Sequence, residues 1–181
     1  LNEKALIEAC KRMDRRAQKQ LYDQFAPAML GICRRYLRDL GAAEDALQEG
    51  FFKILTRLDS YTGEGSFAGW MRRVMVNECL MQLRQRNLLR FPETMPQISD
   101  EAQDNRILNQ LSAVEILSLL DEMPPGYRAV FNLYVIEGFK HREIADLLDI
   151  SINTSKSQLV LARQKMEMLL KTRLGIHNGE L

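Results

Sequence analysis

The sequence is poor in histidine, cysteine, proline and glycine, and it has no long apolar run. Its two histidines, His141 and His177, and its three cysteines, Cys10, Cys33 and Cys79, are scattered. No CxxC pair and no metal-ligand spacing is present, so neither a metal site nor a disulfide framework is expected. Three reduced thiols fit a cytoplasmic protein. No stretch is apolar enough to cross a bilayer and no signal-peptide core opens the chain, so direct membrane insertion is not expected. The chain opens at Leu1 rather than Met, which is read as a few trimmed residues, with no domain ahead of them. There is no GxxxxGK phosphate loop, no HExxH and no comparable carboxylate cluster. Asp45 and Glu49 lie one helical turn apart, but a pair alone does not make a nuclease. No catalytic residues, no cofactor and no enzymatic activity are expected.

Strand signals are almost as scarce. Sustained alternation and Asn-Gly or Asp-Gly hairpin turns are missing, while helical periodicity runs nearly throughout. Helices are predicted near 2–12, 15–38, 42–58, 66–87, 105–121, 125–136, 141–148 and 152–172. The fold class is all-α, with two helical domains joined by a flexible linker. The linker is read at 91–106, where Pro92, Pro96 and several acids replace large apolar groups. Residues 1–90 form the first domain, 107–175 the second, and 176–181 a tail.

The formal net charge of the 181 residues is +1, yet the charges are segregated. Residues 1–90 carry sixteen Lys and Arg against eleven Asp and Glu. The 91–106 segment and the stretch from Glu115 to Asp149 are acidic. Between Lys156 and Arg173 five basic residues meet only Glu167. Two basic surfaces separated by acidic ones suit a polyanion partner.

The stretch "HREIADLLDISINTSKSQL" reads as two helices joined by a short turn. Ile144, Ala145, Leu147 and Leu148 make an apolar stripe, and Asp149 stands where the chain must turn, a position Asp tolerates in the left-handed region. Ser151 is a plausible N-cap. At 100° per residue, Ser155, Leu159, Ala162, Met166 and Leu169 of the second helix fall on one packed stripe. Asn153, Ser157, Val160 and Gln164 lie opposite, with Lys156 and Thr154 on the flanks. Such a short-armed, acid-free face can approach base edges in a major groove. An amide there can pair with adenine and Val160 can touch a thymine methyl, while Lys156 and Arg163 meet phosphate or guanine. The plain alternative is a solvated surface helix. The preceding helix, the short turn and the charge switch favour the helix-turn-helix.

Two blocks carry a family resemblance. "MPPGYRAVF", "EGFKHREIADLLDIS" and "TSKSQLVLAR" resemble the C-terminal DNA-binding domain of bacterial RNA polymerase sigma factors, most closely the small extracytoplasmic-function class. "AEDALQEGFFKILTRLDSYTGEGSFAGWMRRVMVNECLMQLRQR" looks like the sigma domain that binds the polymerase clamp and the −10 element. The resemblance implies an alternative sigma factor that binds core RNA polymerase, recognises −35 and −10 promoter DNA and assists promoter opening. It implies −35 recognition by Asn153, Thr154, Lys156, Ser157, Val160 and Arg163. Tyr61, Ser66, Trp70, Arg73, Asn77 and Arg84 match the −10 and opening region, with Tyr61 at an aromatic of the base pocket and Asn77 at the residue that bonds a flipped base. Asp45, Gln48 and Glu49 match positions that contact the coiled coil of the largest polymerase subunit. An anti-sigma factor is a further implied partner, and the free chain is expected to be a monomer. Asp149 stands where the family usually has Gly, Ser155 replaces a usual Val, and Gln158 and Leu161 replace frequent basic residues. From the residues alone, Phe67 and Trp70 read mainly as core, and Arg73 reads equally as structural. The alternative function is a dimeric helix-turn-helix repressor or activator, which predicts unaided binding to a palindrome.

Overall fold

The computed structural model describes residues 2–91 and 112–174, and every described element is helical. The chain divides into two compact units, Leu1–Gln85 and Arg86–Leu181. The linker read at 91–106, apart from Phe91, the tail at 176–181 and the first turns of the helix predicted from 105 lie outside the described residues.

In the first unit each early helix starts on a side-chain cap. Asn2 accepts from the Ala5 N–H to open α1 (Glu3–Lys11). Asp14 accepts from Arg16 and Ala17 to open α2 (Arg15–Tyr36). Asp39 accepts from Ala42 to open α3 (Leu40–Thr56). Each cap satisfies backbone donors that a helix start leaves open. A short 3-10 turn at Leu58–Ser60 leads through a glycine-containing loop into α4 (Phe67–Gln85). α2, α3 and α4 pack on one another, and α1 lies against α2 and the 3-10 turn. The core includes Leu21, Cys33, Tyr36, Ile54, Phe67, Met71, Met75 and Leu80, all buried.

Two features lock α3 to α4. Gly50 faces Met75, and a Cβ at that position would overlap the Met75 sulfur. Lys53 donates to Glu78 Oε2 at 2.5 Å, and Glu78 is only 2% exposed. Gly50→Val is therefore expected to destabilise this unit by about 1–3 kcal/mol, the usual cost of overpacking a filled core. A urea melt reads that loss directly, and an unchanged midpoint would show that the Met75 side chain moves aside at no cost.

The second unit opens with α5 (Ala113–Asp121). Ser112 and Glu115 bond reciprocally across its first turn, and these bonds hold the Glu115 carboxyl below its ordinary range. Pro125 occupies the first position of α6 (Pro125–Phe131), where its missing N–H costs nothing. The segment predicted as one helix over 125–136 is α-helical only to Phe131. It widens into a π turn at Asn132–Ile136 and ends at Gly138, whose φ is 77°. A run of five residues is too short for apolar spacing to tell a π turn from α winding. α7 (His141–Leu148) and α8 (Ile152–Leu174) complete the unit, and α5, α6 and α7 all pack on α8. Arg90 and Phe91 pack beside Gly126 at the start of α6.

Candidate nucleic-acid and protein-docking interface

The turn between α7 and α8 is built as the sequence predicts. Asp149 takes φ 55° and ψ 52°, its N–H bonds the Ala145 carbonyl, and the Ile150 N–H bonds the same oxygen at 3.1 Å. The helix is thereby closed in the left-handed manner that glycine usually supplies. Ser151 Oγ then accepts from the Thr154 N–H at 2.9 Å, which caps α8. Ser155, at the foot of α8, lies 2.9 Å from His141 Nδ1. That imidazole stacks on Tyr134 with centroids 4.5 Å apart, and the Arg163 guanidinium stands 5.9 Å from the same Tyr134 ring. A polar and aromatic chain thus ties the two helices to the π turn. Sequence reasoning missed it, although a serine in an apolar stripe opposite one of only two histidines was a usable sign.

The packed stripe of α8 is confirmed: Ser155, Leu159, Ala162, Met166 and Leu169 are all buried. On the opposite side Asn153 and Gln164 are exposed and Val160 is half-buried, and the flanking Thr154 and Lys156 are half-buried, as is Arg163. Ser157 corrects the expectation of an open polar face, because it is buried, as is Gln158 beside it. The first turns of α8 are covered by a neighbouring element: Gly126 at the start of α6 lies against the Gln158 side chain, and α6 packs along α8.

In the first unit the loop Tyr61–Ser66 is closed by the Tyr61 hydroxyl, which donates to the Gly65 carbonyl at 3.0 Å. Gly63 and Gly65 take positive φ, 85° and 77°, which the tight loop requires. The Tyr61 ring lies 5.2 Å from Phe67 and 5.7 Å from Trp70, and Phe67 stacks on Trp70. Phe67 is core as expected. Trp70 is half-buried rather than core, since it sits at the rim of this aromatic wall with one side held by Phe67 and Tyr61. Tyr61 also borders a cleft of about 370 Å3 that reaches Lys4 and Lys11 of α1.

Ser66 caps α4: its Oγ accepts from the Gly69 N–H at 3.1 Å. From there Ser66, Trp70, Arg73, Asn77 and Arg84 fall within about 60° of one another around the helix. Arg73, Asn77 and Arg84 are exposed. The aromatic wall and the polar stripe form one continuous line. On α3, Asp45, Gln48 and Glu49 are all exposed on a single face, opposite Ala46, Leu47, Phe51 and Ile54 in the core.

The family pattern described as Sigma-70 region 2 matches residues 21–88, and that described as Sigma-70, region 4 matches residues 113–166. The first covers α3, the loop and α4; the second covers the helix-turn-helix. The chain belongs to the sigma-70 family, in its extracytoplasmic-function class. Similar proteins include the ECF RNA polymerase sigma-E factor of Haemophilus influenzae, 23% identical over 92% of this chain and 94% of that protein. The RNA polymerase sigma-H factor of Pseudomonas aeruginosa is 25% identical over 92% of each. The sigma-E factor of Escherichia coli is 26% identical over 92% of this chain and 93% of its own length. The solved structure of CnrH in complex with the cytosolic domain of CnrY shares the fold, with a TM-score of 0.51 and 21% identity, covering 93% of this chain and 96% of that one. The sigma factor is thus of a class that directs transcription initiation and is not enzymatic. None of its described helices is long and apolar enough to cross a membrane.

Proposed function

We propose that this sigma factor divides promoter recognition between its two units as follows. The α7–α8 pair enters the major groove at the −35 element, with Asn153, Lys156 and Val160 toward bases and Thr154 and Arg163 toward the backbone. Ser157 contributes only through the shape of that face, given its burial. The α4 line takes the −10 element: Arg73 and Arg84 meet phosphates while Asn77 bonds the edge of an unstacked base. Tyr61 and Trp70 supply the stacking surface that holds such a base out of the duplex. Asp45, Gln48 and Glu49 dock on core RNA polymerase through charge-assisted bonds. The protein works in the cytoplasm and has no catalytic step of its own. Strand opening draws on the free energy of binding the extruded base. An anti-sigma protein is proposed as its inhibitor.

The observation that carries this reading is the α4 line, an aromatic wall leading directly into an exposed Asn77 between two arginines. A groove-reading repressor has no use for a stacking platform on a second unit. The test is run-off transcription with core polymerase on genomic fragments, with and without the chain. New starts that require it support the reading. Unaided selection of a palindrome, with no effect on polymerase, would replace it with the repressor. In the same assay Asn77→Ala is expected to slow opening by about tenfold, the worth of one hydrogen bond to an otherwise unpaired base. Lys156→Ala should instead weaken −35 binding. Permanganate reactivity of unpaired thymines separates the two effects, and equal opening by the Asn77 variant would remove that residue from the site.

A further inference from the structure

Phe52 is 65% exposed, although the adjoining Phe51 is buried with its ring 4.7 Å from Tyr22. Consecutive helical residues diverge by about 100°, so seating Phe51 in the core turns position 52 outward. Nothing in the packing asks for an aromatic there. Around α3, Phe52 lies within about 60° of Asp45, Gln48 and Glu49, four and three residues further on than the amide and the second acid. All four side chains are exposed. Some acids elsewhere on the surface are paired one turn away, as in Lys19–Asp23, Lys11–Glu8 and Lys171–Glu167. No side-chain hydrogen bond or ion pair engages Asp45, Gln48 or Glu49 among the described residues. The face therefore combines uncompensated negative charge with an uncovered ring.

We propose that Phe52 is the apolar anchor of the polymerase-docking face, and that the polymerase surface it meets is a basic one with an apolar recess between its cations. The inference rests on the assignment of Asp45, Gln48 and Glu49 to that contact and adds a residue to it. The acids select cations and set orientation. The ring supplies the area that leaves water on binding, and aromatic anchors of this kind, fringed by polar groups, dominate the affinity of many interfaces. Phe52 differs from the other exposed apolar side chains in sharing its face with Asp45, Gln48 and Glu49.

The test measures affinity for core RNA polymerase at low and high salt for Phe52→Ala, Phe52→Leu and the Asp45→Lys/Glu49→Lys double variant. Thermal melting confirms that each is folded. Phe52→Ala is expected to bind about 10- to 100-fold more weakly, as hot-spot truncations do, by a factor that persists at high salt. Phe52→Leu should recover most of that loss. If Phe52→Ala binds like the parent while the charge variant fails, the anchor is overturned and the docking face stands. If neither variant loses affinity, the docking face falls together with its anchor.

Discussion

The Asp45→Lys/Glu49→Lys variant is expected to bind core RNA polymerase about 10²–10⁴-fold more weakly than the parent. Each acid is proposed to make a charge-assisted bond to polymerase, worth about 1.5–3 kcal/mol once desolvated, and every 1.4 kcal/mol is a factor of about ten in affinity. Lysine at both positions removes two attractions and sets like charge against a basic partner. The fold should be indifferent, because both side chains are exposed and point away from the α3 core. The loss should shrink as salt rises, since exposed charges are screened over about 10 Å at 0.1 M. Size-exclusion or fluorescence titration with core enzyme reads the change. Parental affinity with unchanged salt dependence would show that polymerase meets another face.

The Lys53→Met variant should lose about 3–5 kcal/mol of stability in the first unit. The substitution leaves Glu78 as a buried carboxylate without its counter-charge, and breaking one side of such a pair carries that penalty. Domains of this size are held by only about 5–15 kcal/mol in total, so the variant should be partly unfolded near physiological temperature. Replacing both partners, Lys53→Met with Glu78→Leu, should restore most of the loss, since an apolar pair of similar volume removes the stranded charge along with the bond. The full cycle, measured by urea denaturation, isolates the coupling between the two residues. A single variant as stable as the parent would mean that water reaches Glu78 once the lysine is gone.

These two expectations concern neighbouring residues of one helix, and they differ in how visible they were beforehand. Asp45, Gln48 and Glu49 could be placed on the outer face of α3 because Ala46, Leu47, Phe51 and Ile54 define the inner one. Phe52 falls on the outer side of the same wheel, but spacing alone gave it no role, and only its exposure beside the buried Phe51 marks it. Lys53 and Glu78 are remote along the chain, and no periodicity announces that they meet. On α8 the packed stripe followed from spacing, whereas the burial of Ser157 did not, because spacing along one helix does not say which other segment covers it. Trp70 shows the opposite case: a residue that composition assigns to the interior is drawn to a rim by its stacking on Phe67 and Tyr61.

The order of residues alone determined the helical class, the capped helix starts, the turn at Asp149 and which side of each amphipathic helix faces inward. Those properties depend on local backbone preference and on a repeat of 3.6 residues, both of which act over a few positions. Tertiary packing decided the Lys53–Glu78 contact, the His141–Ser155 link and the aromatic wall beside Asn77. Each of these depends on which atoms from separate elements share one small volume, and that is set only when those elements close on one another.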